Sequence, residues 1–289
     1  MTNFPSKIAI IGVGLIGGSI ALGLKKHFGS KITILGSCNS PRRAKLAVKL
    51  RIIDHYLARL ESLPKDTGLV ILASPISVNL NLLKTLQKIS LSEATIIDVG
   101  STKQSISELS IDLSITSFLG THPMAGSEFT GFESANPHLF INKPWVICPS
   151  THTRKDDFAI VQELVKILGA RPILMNPKQH DQVSLWASHI PLILASMLIN
   201  AANKDKNWEE VATIASSGFR DTTRLGSSDP QLKTDIIFTN KENIRKALKV
   251  LKIEIDTFSK LFDKGNKSIF NYFKNSKSIR DNWLTNYFG

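Results

Sequence analysis

Cysteine is nearly absent. Cys38 and Cys148 are the only two in 289 residues. This excludes a disulfide framework and any C-x-x-C redox or metal pair, so no metal is expected and a reducing, cytoplasmic compartment fits. Uninterrupted apolar runs of membrane length are absent too. The most apolar later stretch, Leu185 to Ala202, is broken by His189, Pro191 and Asn200, so it reads as a core helix and no membrane partner is expected. The first apolar run is not read as a secretory leader, because Lys25, Lys26 and His27 follow it and glycines interrupt it. Acid is scarce: 24 Asp and Glu face 36 Lys and Arg, a formal charge of +12. The lysines are spread along the chain and dense in its last fifty residues, without the clustered patch of a nucleic-acid reader. They read as solvated faces that also attract an anionic cofactor and an acidic substrate. No nucleic-acid partner is expected.

What is present is organised around Lys7 to Lys26, KIAIIGVGLIGGSIALGLKK. A β-branched run, Lys7 to Ile11, reads as a buried strand and runs into Gly12-Val13-Gly14-Leu15-Ile16-Gly17. In such a G-x-G-x-x-G, Gly12 permits the tight turn and Gly14 lets a pyrophosphate approach the backbone. Gly17 lets the helix that opens at Leu15 and Ile16 pack on the strand, and that helix offers its N-terminal N–H groups to phosphate. The alternative is a strand–turn–helix whose glycines serve packing alone.

Further strands are expected at Lys31 to Leu35, Gly68 to Ala73, Ala94 to Val99, Ser117 to Leu119, Trp145 to Cys148 and Arg171 to Leu174, with helices between them. The alternation predicts an α/β fold: an N-terminal Rossmann-like, mostly parallel sheet. No strands are expected after Asn176. Helical stretches are read over Gln179 to Ala202, with a kink at Pro191, over Trp208 to Ser216 and over Asn243 to Phe262. The last carries Ile244, Leu248, Leu251, Ile255, Phe258 and Phe262 in a 4–3 seam, suited to internal packing or to a dimer. The expected division is 1–176 for dinucleotide binding and 177–289 for an all-helical substrate and dimerisation domain.

The second strand bears on cofactor choice. An NAD site usually offers an acid about 20 residues past the glycines, yet no Asp or Glu occurs from Phe28 through Ile53. Ser37, Cys38, Asn39, Ser40, Arg42 and Arg43 stand there instead. A 2′-phosphate suits that set, so NADP is expected, with NAD the alternative if Arg42 and Arg43 are merely solvated. Ser74 and Pro75, at another strand end, complete the cofactor candidates.

Four stretches set polar residues in apolar surroundings: DVGSTK from Asp98, GTHPMAGS from Gly120, His180-Asp181-Gln182 onward to SHIP, and SGFRDTTR from Ser217. His122 follows a strand end among glycines, where a loop could present it to a nicotinamide as a general base, with Ser101 orienting it. His180-Asp181 reads as a helix-starting or capping pair. With GVGLIGGS, ASPI and SSGFRDTTRLGSSDP in the same order, the chain resembles the prephenate/arogenate dehydrogenase family of tyrosine biosynthesis from Lys7 to about Asn240.

The resemblance implies an oxidative decarboxylation of a cyclohexadienol that carries a ring carboxylate. His122 would take the C4 hydroxyl proton while Ser101 holds that histidine. Arg224 would grip the substrate carboxylate, with His189 and Ser127 also lining the substrate site. It further implies a homodimer through the C-terminal helices. Some members carry a Trp soon after the SDP step, where Lys233 stands here. Its absence looks more like the arogenate- and NADP-using branch. Rival readings are a β-hydroxyacid dehydrogenase, which would want a catalytic lysine where Asp181 to Leu198 has none, a pyrroline-carboxylate reductase, and an NADP-sensing module without turnover.

Overall fold

The computed structural model describes residues 4–89, 91, 93–126 and 129–288. One eight-stranded sheet carries the first part of the chain. Its strands are β1 (Lys7–Ile11), β2 (Thr33–Ser37), β3 (His55–Tyr56), β4 (Leu69–Leu72), β5 (Thr95–Asp98), β6 (Phe118–Pro123), β7 (Pro144–Cys148) and β8 (Arg171–Leu174), in the spatial order 3-2-1-4-5-6-7-8. Every pairing is parallel except that of β6 with β7. The two-residue β3 is too short to leave an alternation and was not legible.

Successive side chains of β1 serve opposite cores, as a strand's two-residue period requires. Ile8 and Ile10 join one apolar cluster with Ile20, Leu24, Trp145, Val161 and Leu164. Ala9 and Ile11 join the other with Val70, Leu72, Leu83 and Ile106. Helices α1 (Leu15–Phe28) and α5 (Lys155–Ile167) therefore cover one face, and α3 (Ile76–Leu86) and α4 (Gln104–Asp112) the other. Helix α2 (Pro41–Lys49) follows β2; Ser40 caps it, accepting from the Arg43 N–H, and Pro41 opens its first turn.

After β8 the described chain is helical: α6 (Pro177–Ser184), a π turn (Leu185–His189), α7 (Ile190–Ala202), α8 (Trp208–Ile214), α9 (Ser217–Thr223) and α10 (Pro230–Thr239). The kink expected at Pro191 is this π turn. Pro191 has no N–H and its ring crowds the carbonyl one turn back; the turn widens, and the Ile190 N–H reaches the Leu185 carbonyl. By length and composition Pro177–Ala202 could cross a membrane. It nevertheless buries the polar side chains of His180, Asp181, Ser184 and His189.

By contacts the described chain forms two compact units, one running to Lys241 and one from Glu242. The first holds the sheet and α1–α10. Ser77 fastens α10 to α3, its N–H and hydroxyl meeting Asp235 Oδ2 at 3.1 and 2.7 Å. The second unit is a helical pair, α11 (Lys241–Ser259) and α12 (Asn266–Phe288). Phe258 packs on Tyr272 and Phe273 with ring centroids 5.2 and 5.9 Å apart, and the Tyr272 hydroxyl donates to Glu254 at 2.7 Å.

Candidate active site

The glycine loop lies where β1 and β4 run side by side, the point at which strand order reverses and open α/β sheets bind ligands. Gly12 has φ +100°, and a Cβ there would lie 2.5 Å from Ser74 Oγ and 2.7 Å from the Ala73 carbonyl carbon. The Gly12 and Val13 N–H groups both donate to the Ser37 carbonyl, at 3.1 and 2.8 Å. A Cβ on Gly17 would stand 2.5 Å from the Gly12 carbonyl oxygen. These two positions are glycine because backbone fills the space a side chain needs. Gly14 differs: a Cβ there meets nothing within 4 Å. Its open side, and the first-turn N–H groups at Leu15 and Ile16 that a helix leaves unpaired, fit a pyrophosphate. Ser74 donates to the Ile11 carbonyl at 3.3 Å, and Pro75 precedes α3.

Beyond the end of β2, the Cys38 thiol approaches the Val13 carbonyl at 3.7 Å, and burial pushes that thiol up. Asn39 and Arg42 are exposed. The Arg43 guanidinium stacks on Phe132, 4.5 Å above the ring centroid, and pairs with Glu133 at 2.7 Å. Cys148 is buried and its thiol is pushed up to about 12, so it remains a thiol at neutral pH.

His122 is buried within β6, opposite Val146 of β7, and not on the loop expected from its flanking glycines. Its Nδ1 lies 2.9 Å from His180 Nε2. His180 Nδ1 lies 2.7 Å from Asp181 Oδ1. The carboxylate can only accept, so His180 carries its proton on Nδ1 and accepts at Nε2. It accepts there from the Ser184 hydroxyl at 3.1 Å and from His122 Nδ1. His122 thus carries its proton on Nδ1, and its Nε2 keeps a lone pair. Asp181 is anchored by the first N–H groups of α4: Lys103 N–H at 2.7 Å to Oδ1 and Gln104 N–H at 3.0 Å to Oδ2. The expected capping role is therefore real but directed at another helix; α6 itself is capped by Asn176.

This replaces the expected partner of His122. Among the described residues no hydrogen bond joins Ser101 to His122, and it is His180 that meets Nδ1. Ser101 instead lies with its backbone beside His189. The Asn240 amide donates to the Asp181 carbonyl at 2.8 Å and reaches His189 Nδ1 at 3.0 Å, leaving the His189 proton on Nε2. Burial outweighs the nearby Asp181 and holds His189 down to about 4. Burial first, and then His180, Lys103 and His189, holds His122 well below 6.5. Lys103 is wholly buried in an ion pair with Asp98, whose carboxylate also accepts from the Gly100 N–H at 2.8 Å. Burial pushes the Asp98 carboxyl up while the Lys103 ammonium draws it back.

Arg224 is exposed at the start of the turn Arg224–Ser227, which lies against α7 with Gly226 near Ala195. Lys233, noted where some relatives carry Trp, donates to the Gly226 carbonyl at 2.5 Å and braces this turn. Ser127 lies outside the described residues.

The family model described as "Prephenate dehydrogenase, nucleotide-binding domain" matches residues 20–174, and "Prephenate dehydrogenase, dimerization domain" matches 176–275. Prephenate dehydrogenase of Bacillus subtilis (strain 168) is 35% identical over 286 residues, covering 97% of this chain and 77% of that one. The crystal structure of prephenate dehydrogenase from A. aeolicus in complex with hydroxyphenyl propionate and NAD+ has a TM-score of 0.89 at 29% identity, covering 96% of this chain and 98% of that one. Synechocystis arogenate dehydrogenase has a TM-score of 0.79, also at 29% identity, covering 96% and 99%. With both portions of the chain matched, and a curated relative aligned over nearly all of it, the chain belongs to the prephenate dehydrogenase family of oxidoreductases.

Proposed function

We propose that the chain oxidatively decarboxylates arogenate to tyrosine with NADP, in tyrosine biosynthesis. The observation that carries this reading is the Asp181–His180–His122 chain, which leaves a neutral, buried imidazole whose Nε2 keeps its lone pair. When bound, the nicotinamide supplies the hydride acceptor. His122 Nε2 accepts the proton of the ring C4 hydroxyl. Its Nδ1–H stays on His180, and the Asp181 charge behind His180 offsets the imidazolium that forms. Loss of the C1 carboxylate as CO2 returns an electron pair to the ring, which aromatises. His122 then gives its proton back to the C4 oxygen. Arg224 binds a substrate carboxylate through its planar guanidinium, and His189 and Ser127 line the substrate site. Ser101 contributes through its place beside His189.

Gly12, Gly14, Leu15, Ile16, Gly17, Ser74 and Pro75 hold the pyrophosphate side of the cofactor. The set from Ser37 to Arg43, with no acid between Phe28 and Ile53, supports NADP. A second reading, prephenate to 4-hydroxyphenylpyruvate with NAD or NADP, is favoured by the prephenate dehydrogenase of Bacillus subtilis among its relatives and by the NAD+ bound in the A. aeolicus structure. We read 177–289 as the substrate and dimerisation portion of a cytoplasmic homodimer, in line with the dimerisation-domain match and the two free cysteines. No nucleic-acid or membrane partner enters this reading.

Cofactor reduction with arogenate and with prephenate, each with NADP and with NAD, tests the proposal. Reduction fastest with arogenate and NADP is expected. Faster turnover of prephenate or NAD would move the assignment to the second reading, and reduction in none of the four would overturn both.

A further inference from the structure

The segment after β2 has no acid of its own, but one reaches its Arg43 from elsewhere in the chain. The connection between β6 and β7 forms a helical turn, Phe132–Ser134, that lies against the first part of α1. Gly18 permits this approach: a Cβ there would stand 3.0 Å from Ala135 Cβ and 3.3 Å from Phe132 Cβ. Phe132 is buried as a platform under Arg43, and Glu133 holds the guanidinium at its edge. Gly131 takes φ +86°, a conformation L side chains rarely adopt, and its open side faces Glu133 Oε2 and Arg43 Nη2. Both charges are felt at Cys38, in the segment after β2 that faces the 2′ position of a dinucleotide's adenosine ribose. The pair is 38% and 49% exposed, so a ligand can compete for it; exposed ion pairs are weak.

We propose that Glu133 is a specificity-determining residue that restrains NADP binding by occupying Arg43. It rests on the reading of Arg43 as a 2′-phosphate ligand. A phosphate dianion entering this site must take the guanidinium from the Glu133 carboxylate. A 2′-hydroxyl makes no such demand, so NAD binding is indifferent to the pair. The site therefore discriminates against NAD less sharply than its bare arginines suggest.

The test is calorimetric titration of the full chain with NADP+, NAD+, 2′,5′-ADP and 5′-AMP, with thermal melting to confirm folding. In Glu133→Gln, affinity for NADP+ and 2′,5′-ADP should rise about three- to tenfold while NAD+ and 5′-AMP stay unchanged. In Arg43→Gln the preference for the 2′-phosphate ligands should fall, and adding Glu133→Gln to it should bring no further gain. No gain in Glu133→Gln alone, with Arg43→Gln still costing NADP+ affinity, would overturn the role of Glu133. A gain that persists in the double variant would overturn it as well, by showing direct repulsion. If Arg43→Gln leaves the NADP+ to NAD+ ratio unchanged, it is the assignment of Arg43 as phosphate ligand that fails.

Discussion

Asp181 sets the protonation of an imidazole it does not touch. Its carboxylate fixes the His180 tautomer, and His180 fixes that of His122. His122→Asn should lower kcat by about a thousandfold while leaving cofactor affinity nearly unchanged, as the loss of a general base does. Asp181→Asn should lower kcat by about a hundredfold or more, because either placement of the new NH2 faces a donor: Gln104 N–H on one side, Lys103 N–H and His180 Nδ1–H on the other. Substrate KM should move little in that variant, and a KM effect without a kcat effect would refute the relay. The pH dependence has a definite sign. Protonated His122 cannot accept a proton, so kcat/KM rises with pH. Because burial holds its pKa well below 6.5, the plateau is reached before neutrality and the acid limb lies below about pH 6.5. A limb centred above pH 7 in the initial-rate profile would exclude His122 as the titrating base.

At the scale of elements, the glycine loop separates two roles that one motif conceals. Gly17 serves contact between α1 and β1, and Gly14 serves open space. Gly17→Ala should destabilise the fold by about 1–3 kcal/mol in denaturant titration, because the neighbour it meets is backbone. Gly14→Ala should melt with the parent protein yet bind either nicotinamide nucleotide at least about tenfold more weakly. Equal melting of both variants would remove the packing argument. Most elements were legible because their periods are long: four strands of the parallel core are buried on nearly every residue, and α5 repeats its apolar face. The strand expected at 117–119 runs on to Pro123, although His122 and Pro123 do not look like strand residues. The antiparallel partner β7 holds them there. Helices α9 and α10 leave little periodic signal, because they are short and mostly exposed.

For the whole molecule, α7 presents Leu194, Met197 and Leu198 to solvent in the single chain. They lie inside the segment matched by the dimerisation-domain model. An apolar helix face of this kind is covered in a stable assembly. Light scattering of the full chain should give twice the chain mass, and the double variant Leu194→Lys, Met197→Lys should shift it toward monomer. A monomeric parent at micromolar concentration would refute the proposed homodimer.

The sequence by itself determined most of the order of strands and helices, short β3, α9 and α10 apart, and the glycine loop and the family, because periodicity, turn chemistry and motif order are local or linear properties of the chain. It also placed His122, His189 and Arg224 among the residues worth testing. Only the tertiary structure decided how they are supported. His122 and His180 stand 58 residues apart and Arg43 and Glu133 stand 90 apart, so neither pair leaves a trace in spacing. Each is made by the sheet bringing distant ends together. Burial then sets the chemistry: the same imidazole that sequence marks as a candidate base becomes a neutral one with a defined tautomer only after β6, α4 and α6 have closed around it.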